Sequence, residues 1–300
     1  EVVRTEGARI LGTLIRTTGD WNVAEDAVQE AVLAAIRDWS RSGTPDDPRA
    51  WLVVVARRKA VDMLRRERRR TDKEREGVNL MELLTPDPPP ESVVRDDQLR
   101  LIFTCCHPAL SLEAQVALAL RTLCQLSIDQ VAAVLLTSPA AMAKRLVRTR
   151  QKIAAAAIPY RIPGDTELPS RLAGVCGVVH AFYTAGHAPL GGAAVVDVDG
   201  CAEAIRLARL IHELMPDEAT PTAVLALLLL TESRRTARTN AAGEVVVLAE
   251  QDRSRWDAAA VAEGLELVNE SLRRTSGLAD PYQLQAAIAA EHARGDRTAV

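Results

Sequence analysis

The stretch from Leu126 to Lys152 constrains this chain more than any other. It reads as a short amphipathic helix, a tight break, and a second helix that is cationic on one side. Ser127 followed by Gln130 is the signature of a capping box opening the first helix. Val131, Val134 and Leu135 line one face, and the pattern breaks at Thr137. Ser138-Pro139 restarts it. Serine is a favoured N-cap, and proline at the first helical position gives up an N–H that has no helical partner there. The second helix carries Lys144, Arg145, Arg148, Arg150 and Lys152 and no acid, while Met142, Leu146 and Ile153 form its inward stripe. This order of parts is a helix-turn-helix, which sets side chains of its second helix in the DNA major groove. A solvated basic helix in a bundle is the competing reading, but it does not explain why both caps fall where the motif needs them.

The net charge of -3 conceals a division along the 300 residues. Residues 1–163 hold 25 Lys and Arg against 21 Asp and Glu, a net +4, whereas residues 164–300 hold 12 against 19, a net -7. Nine basic and two acidic residues lie between Arg49 and Arg70, and five basic and no acidic ones between Met142 and Lys152. Two compact cationic blocks imply two separate contacts with nucleic acid and make the acidic C-terminal part a poor candidate for either. Five cysteines (Cys105, Cys106, Cys124, Cys176 and Cys201) show no framework spacing, which points to a reducing cytoplasm. The longest apolar run, Ala223–Leu230, falls far short of the roughly 18–20 residues of a membrane span, so no membrane partner is expected. No signal peptide is read at the N-terminus.

Nearly all of the chain has helical periodicity, and only nine aromatic residues accompany abundant Ala, Leu and Val. Helices are expected at Val2–Arg16, at Asn22–Trp39 with Asn22 and Glu25 as its cap, and from Arg49 to about Glu76 after the polar break Ser40–Pro48. Gly77–Glu91 is proline-rich and cannot continue a helix. Helices resume at Ser92–Thr104 and Glu113–Gln125 and run through the helix-turn-helix to about Ala157, with Pro159 and Pro163-Gly164 marking a boundary. Beyond it they are expected at Pro169–Ala185, Val198–Leu214, Pro221–Thr236, Arg253–Arg273 and Pro281–Arg294. Paired helices there suggest a tetratricopeptide-like stack, and Glu244–Leu248 is the one weak strand signal.

Two further stretches bear on partners. Asp26, Gln29, Glu30 and Leu33 share one helical face, which alone reads as solvated surface or as a contact patch. The helix after Pro48 is apolar in its first half and a basic comb in its second, and such a comb supplies the long cationic side chains that phosphates need. Cys105-Cys106-His107 with Cys124 resembles a zinc set only superficially. Adjacent cysteines are awkward ligands for one tetrahedral ion, so no metal is expected. His180 and His187 flank Tyr183 near Gly186 and Gly191-Gly192, which admits a ligand pocket or a plain helix end with a glycine turn. No nucleotide-binding or nucleophile motif occurs, no carboxylate pair stands out as catalytic, and no cofactor is expected.

Taken in order, the blocks D-A-V-Q-E-A, P-R-A-W-L-V-V-V-A-R-R-K-A-V-D-M-L-R-R and S-I-D-Q-V-A-A-V-L-L-T-S-P-A-A-M-A-K-R-L-V-R-T-R resemble the extracytoplasmic-function sigma factors of bacterial RNA polymerase. The resemblance covers residues 1–158 and implies an all-α protein that is not an enzyme. Its expected parts are sigma region 2 (1–76), a proline-rich linker (77–95), region 4 (96–158) and a C-terminal helical regulatory extension (164–300). The implied partners are core RNA polymerase, promoter DNA and an anti-sigma or other regulatory protein. By the same resemblance Asp26, Gln29 and Glu30 dock on the polymerase clamp, and Ser40–Arg49 captures a base flipped from the -10 element. Arg49, Trp51, Arg57, Arg58 and Lys59 form the -10 set, with Trp51 a packing anchor and Arg58 standing where the family often has Asn. Ser138, Lys144, Arg145, Arg148 and Arg150 form the -35 set. Ala143 and Leu136 depart from the family, which often has a basic residue and a glycine at these positions.

Two other functions fit parts of the pattern. One is a polymerase-independent helix-turn-helix regulator whose C-terminal domain senses a ligand or dimerises. The other is an enzyme appended to a DNA-binding part, which the absence of nucleophile, metal and phosphate-loop motifs disfavours.

Overall fold

Alanine and valine fill the inner face of the second helix, and that decides how closely the first bundle packs. In the computed structural model, which describes residues 2–70, 91–164, 166–189 and 196–295, α1 (Val2–Thr18), α2 (Trp21–Ser42) and α3 (Pro48–Arg70) pack against one another. Ala24, Ala27, Val28, Ala31, Ala34 and Ala35 of α2 are buried against Leu11, Leu14 and Ile15 of α1 and Leu52, Ala56, Val61 and Leu64 of α3. Asp20, not the expected Asn22–Glu25 pair, caps α2, its carboxylate accepting from the Asn22 and Val23 amides. Glu25 is thereby released for a different role. At the other end Gly43, at φ 81°, closes α2 with its N–H on the Trp39 carbonyl.

The second group of helices comprises α4 (Glu91–Cys105), α5 (Leu112–Thr122), α6 (Ile128–Val134) and α7 (Pro139–Ala155). Phe103, Leu118, Leu120, Val131 and Met142 are fully buried among them. Both sequence-predicted caps are present. Ser127 and Gln130 form the reciprocal capping box, and Ser138 accepts from the Ala141 amide with Pro139 in the first turn. Of the expected linker, 77–95, residues 77–90 lie outside the described residues, and 91–95 are not linker but the start of α4.

Leu136 occupies the turn between α6 and α7 with φ 49°, and its side chain is 95% exposed. A non-glycine residue in the left-handed region costs roughly 1–2 kcal/mol, and here no packing offsets it. Leu136→Gly is therefore expected to stabilise this part by about 1 kcal/mol. A lower thermal midpoint for the variant would contradict that reading.

Compact contacts divide the chain between Gly174 and Val175, inside the first turn of α8 (Leu172–His187). Residues just after Pro163 therefore belong with the first unit, not with the extension expected from residue 164. Arg171, 5% exposed, donates to the Phe103 carbonyl at 2.7 Å and ties this segment to α4.

The second unit continues through α9 (Val198–Leu214), α10 (Ala219–Glu232), α11 (Ala258–Arg274) and α12 (Pro281–Arg294). Helix α10 is its centre, buried from Pro221 through Leu230 and packed on α9, α11 and α12. Helix α11 starts at Ala258, five residues later than expected, because Arg253–Arg255 forms a 3-10 turn and Asp257 supplies the cap. The weak strand signal amounts to one isolated bridge, Thr239 to Val245, and no strand occurs among the described residues. Gly264 faces Leu230 so closely that a Cβ there would lie 2.7 Å from the leucine Cγ. Gly264→Ala is thus expected to cost about 1–3 kcal/mol by overpacking, read as a lower urea midpoint. An unchanged midpoint would show that α10 and α11 can separate freely.

The aromatic and histidine groups of this unit satisfy one another. Tyr183 donates to Glu232 Oε2 at 3.0 Å, and Arg238 donates to His187 Nδ1 at 3.1 Å. Burial, reinforced by Arg238 and Arg234, holds the His187 imidazole down to about 4. His180 leans on Tyr282, with ring centroids 5.3 Å apart. Gly191-Gly192 lies outside the described residues.

Candidate nucleic-acid interface

Helix α7 buries Met142, Leu146, Thr149 and Ile153, which turns its cationic side chains outward. Lys144 and Arg148 are exposed one turn apart, and Lys152 continues the same ridge. Together with Ser111 and Ala114 at the start of α5 they line an open groove of about 440 Å³. The Ser111 hydroxyl makes no cap hydrogen bond to its own helix, so it is not committed to the α5 terminus. A groove lined by four cationic side chains of α7 suits a phosphate backbone, while the exposed N-terminal half of α7 suits base edges. Lys152 was absent from the sequence-based -35 set, although its i+4 spacing from Arg148 was the available signal.

The other two arginines of that set are each engaged by an acid. Arg145 pairs with Glu113 at 3.2 Å and sits at the groove's edge. Arg150 reaches away from the groove to Glu25 Oε1 at 2.8 Å. In this arrangement Arg150 does not line the groove. The α-helical step of 100° per residue carries it off the Lys144–Arg148 ridge.

The expected -10 residues do not form one continuous face. Trp51 meets Trp39 edge-on, with ring centroids 5.4 Å apart, and the pair braces the two ends of the loop after Gly43. Arg49 pairs with Glu6 at 3.1 Å, and Lys59 pairs with Glu30 at 3.3 Å. Arg57 is 5% exposed and lies on the buried side of α3. Arg58 is exposed, and Arg65 and Arg66 continue outward two turns further along α3. These two were legible in the basic comb but were not singled out.

On α2, Asp26, Gln29 and Glu30 are all exposed. The same flank carries Leu33, 60% exposed, and Ile36, 64% exposed. Ile36 had not been expected there, because from the sequence it could as well have faced the core. An acidic stripe flanked by two large exposed apolar side chains has the character of a protein contact surface.

The cysteine cluster is apolar packing. Cys105, Cys106 and Cys124 are buried, and burial pushes the Cys105 thiol up to about 12. Among the described residues, no group of three or more His, Cys, Asp or Glu side chains is arranged to hold a metal ion. No described helix is long and apolar enough to cross a membrane.

Comparison with known proteins matches three stretches of the chain to family models. Residues 2–70 match the family model described as Sigma-70 region 2, and residues 100–153 match Sigma-70, region 4. The chain belongs to the sigma-70 family, as an extracytoplasmic-function sigma factor with a C-terminal extension. Residues 171–272 of this sigma factor match a family of unknown function (DUF6596). The "Uncharacterized protein R00370" of Rhizobium meliloti (strain 1021) is 41% identical over 297 residues, covering 96% of this chain and 68% of that protein. The "Probable ECF RNA polymerase sigma factor SigI" of Mycobacterium tuberculosis (strain ATCC 25618 / H37Rv) is 27% identical over 153 residues, covering 50% of this chain and 52% of its own length. The chain thus spans about half of that relative. No solved structure matches this sigma factor.

Proposed function

We propose that this sigma factor binds core RNA polymerase through the α2 stripe Asp26–Glu30, extended by Leu33 and Ile36, and directs the enzyme to promoters. In this reading region 4 holds the -35 element with Lys144, Arg148 and Lys152, and Ser138 sits at the start of the helix that enters the groove. Region 2 holds unpaired -10 bases in the loop between the Trp39–Trp51 pair, while Arg58 and the comb beyond it attract the phosphates. The chain itself catalyses nothing. Trapping an unstacked base lowers the cost of strand opening by a few kcal/mol, and tethering two weak DNA readers to one enzyme raises their effective concentration. The extension acts in cis as a regulatory module, and an anti-sigma or other regulatory protein is a further partner.

One observation carries this reading above all: two cationic surfaces lie on separate helical groups, and the acidic-apolar stripe stands exposed on a further face, along α2. The test is reconstitution of the full chain with core polymerase, followed by selection from a random-sequence DNA pool. A bipartite motif enriched only with polymerase present is the expected result. Tight selection of duplex by the chain alone would overturn it in favour of a polymerase-independent regulator. Comparing the full chain with one ending at Gly174 would read the extension's contribution without removing Arg171 from α4.

A further inference from the structure

The hydrogen bonds around Tyr183 leave cationic donors over at one end of the second unit. Helix α10 runs out into residues 233–238, where Arg234, Arg235 and Arg238 follow the single acid Glu232. All three arginines are half-buried. A 3-10 turn (Arg235–Ala237) winds the segment tightly, with the Ala237 amide on the Arg234 carbonyl at 2.9 Å, so Arg234 and Arg238 stay within one turn of each other.

The one acid is already taken. One oxygen of Glu232 accepts from Tyr183 at 3.0 Å, and the other pairs with Arg235 at 3.0 Å. Arg238 commits only Nη1, which donates to the His187 carbonyl at 2.9 Å and to His187 Nδ1 at 3.1 Å. A guanidinium can only donate, so Nδ1 is the acceptor and the ring proton of His187 sits on Nε2. Among the described residues that proton has no partner, and the Arg234 guanidinium makes no hydrogen bond or ion pair. Burial and the neighbouring Arg238 hold Arg234 below its usual range, while burial and both arginines keep the His187 imidazole neutral.

Two guanidinium groups and a histidine N–H, brought together with no carboxylate between them, are the donors that an oxyanion takes. A half-buried cation without a counter-charge costs stability, and an anion seated there removes that cost. We propose that Arg234, Arg238 and the Nε2–H of His187 form a binding site for a small ligand presented as a phosphoryl or carboxylate group. The stacked ring of Tyr183, 5.3 Å from the imidazole centroid and tilted by 25°, fixes the histidine in place. Residues 164–300 hold 12 basic against 19 acidic residues, a net -7, so a long polyanion such as duplex DNA is repelled and a single small anionic group is not. The site joins the last turn of α8 to the end of α10, the helix on which α9, α11 and α12 pack, so its occupant clips the ends of α8 and α10 together.

Thermal melting of the full chain tests this, with inorganic phosphate and succinate as probes and chloride keeping the ionic strength constant. At about 10 mM probe the wild-type midpoint should rise by several degrees, as binding to the folded state alone requires. A rise with phosphate only assigns a phosphoryl group, a rise with succinate only a carboxylate, and a rise with both the oxyanion they share. Arg234→Gln should melt no lower than wild type without probe and should need at least tenfold more probe for the same rise. Arg234→Lys keeps the charge but not the planar fork, and its response should fall between the two. Arg209→Gln, which loses a pairing with Glu263 elsewhere in the unit, should respond as wild type does. No rise with either probe, or an equal rise in Arg234→Gln, would overturn the site. So would Arg234→Gln melting well below wild type, since that would make Arg234 a partnered structural residue. None of these readouts involves polymerase, so the sigma activity stands or falls separately.

Discussion

Replacing Leu33 and Ile36 together by aspartate is expected to weaken binding of core RNA polymerase by at least about 100-fold, with little change in thermal midpoint. The two side chains are 60% and 64% exposed on the flank of α2 that carries Asp26, Gln29 and Glu30. A large apolar side chain desolvated at the centre of an interface is worth about 2 kcal/mol or more, and every 1.4 kcal/mol is tenfold in affinity. The same side chains stand in water in the free protein, and exposed substitutions usually change stability by less than about 0.5 kcal/mol. Titrating labelled core polymerase with each variant, with melting curves alongside, separates the two effects. If binding survives at near wild-type strength, the acidic-apolar stripe is ordinary surface and the polymerase contact lies elsewhere.

What was legible beforehand follows from how local each signal is. The capping box at Ser127–Gln130 and the Ser138-Pro139 restart each use a few consecutive residues, so both could be read directly, as could the Met142–Leu146–Ile153 stripe. The α2 cap was misplaced because Asp20 and Asn22 are both good caps. Only the backbone, with Asp20 extended at φ -127°, decides between them. The buried side of α3 was harder to read. Arg57 sits among apolar residues at a helical register that the basic run after it obscures, so it was counted with the exposed comb. The ion pairs Arg49–Glu6, Lys59–Glu30 and Arg150–Glu25 join residues 29 to 125 positions apart, and no spacing rule reaches that far. The extension's start was blurred for the same reason. Pro163-Gly164 is a strong local break, but the Arg171 bond to Phe103 is a long-range tie that keeps the following segment with region 4.

Lys144→Ala/Arg148→Ala should reduce holoenzyme binding to its selected promoter by about 100-fold near physiological salt, and a plot of log affinity against log salt should flatten by about two units. Each phosphate neutralised on duplex DNA adds close to 0.9 to that slope, and a side chain reading a base edge costs about 1–3 kcal/mol when removed. Both residues are exposed on the groove wall, with no ion-pair partner among the described residues to hold them back. Arg150→Ala is the informative contrast, because Arg150 lies on the same helix with the same charge but turns to Glu25. If charge on α7 were all that mattered, this variant would flatten the slope as well. If the contact with Glu25 is what Arg150 is for, the slope should stay as in wild type. The pair of results distinguishes a helix that is merely basic from one whose cations are divided between the promoter and the protein's own carboxylates.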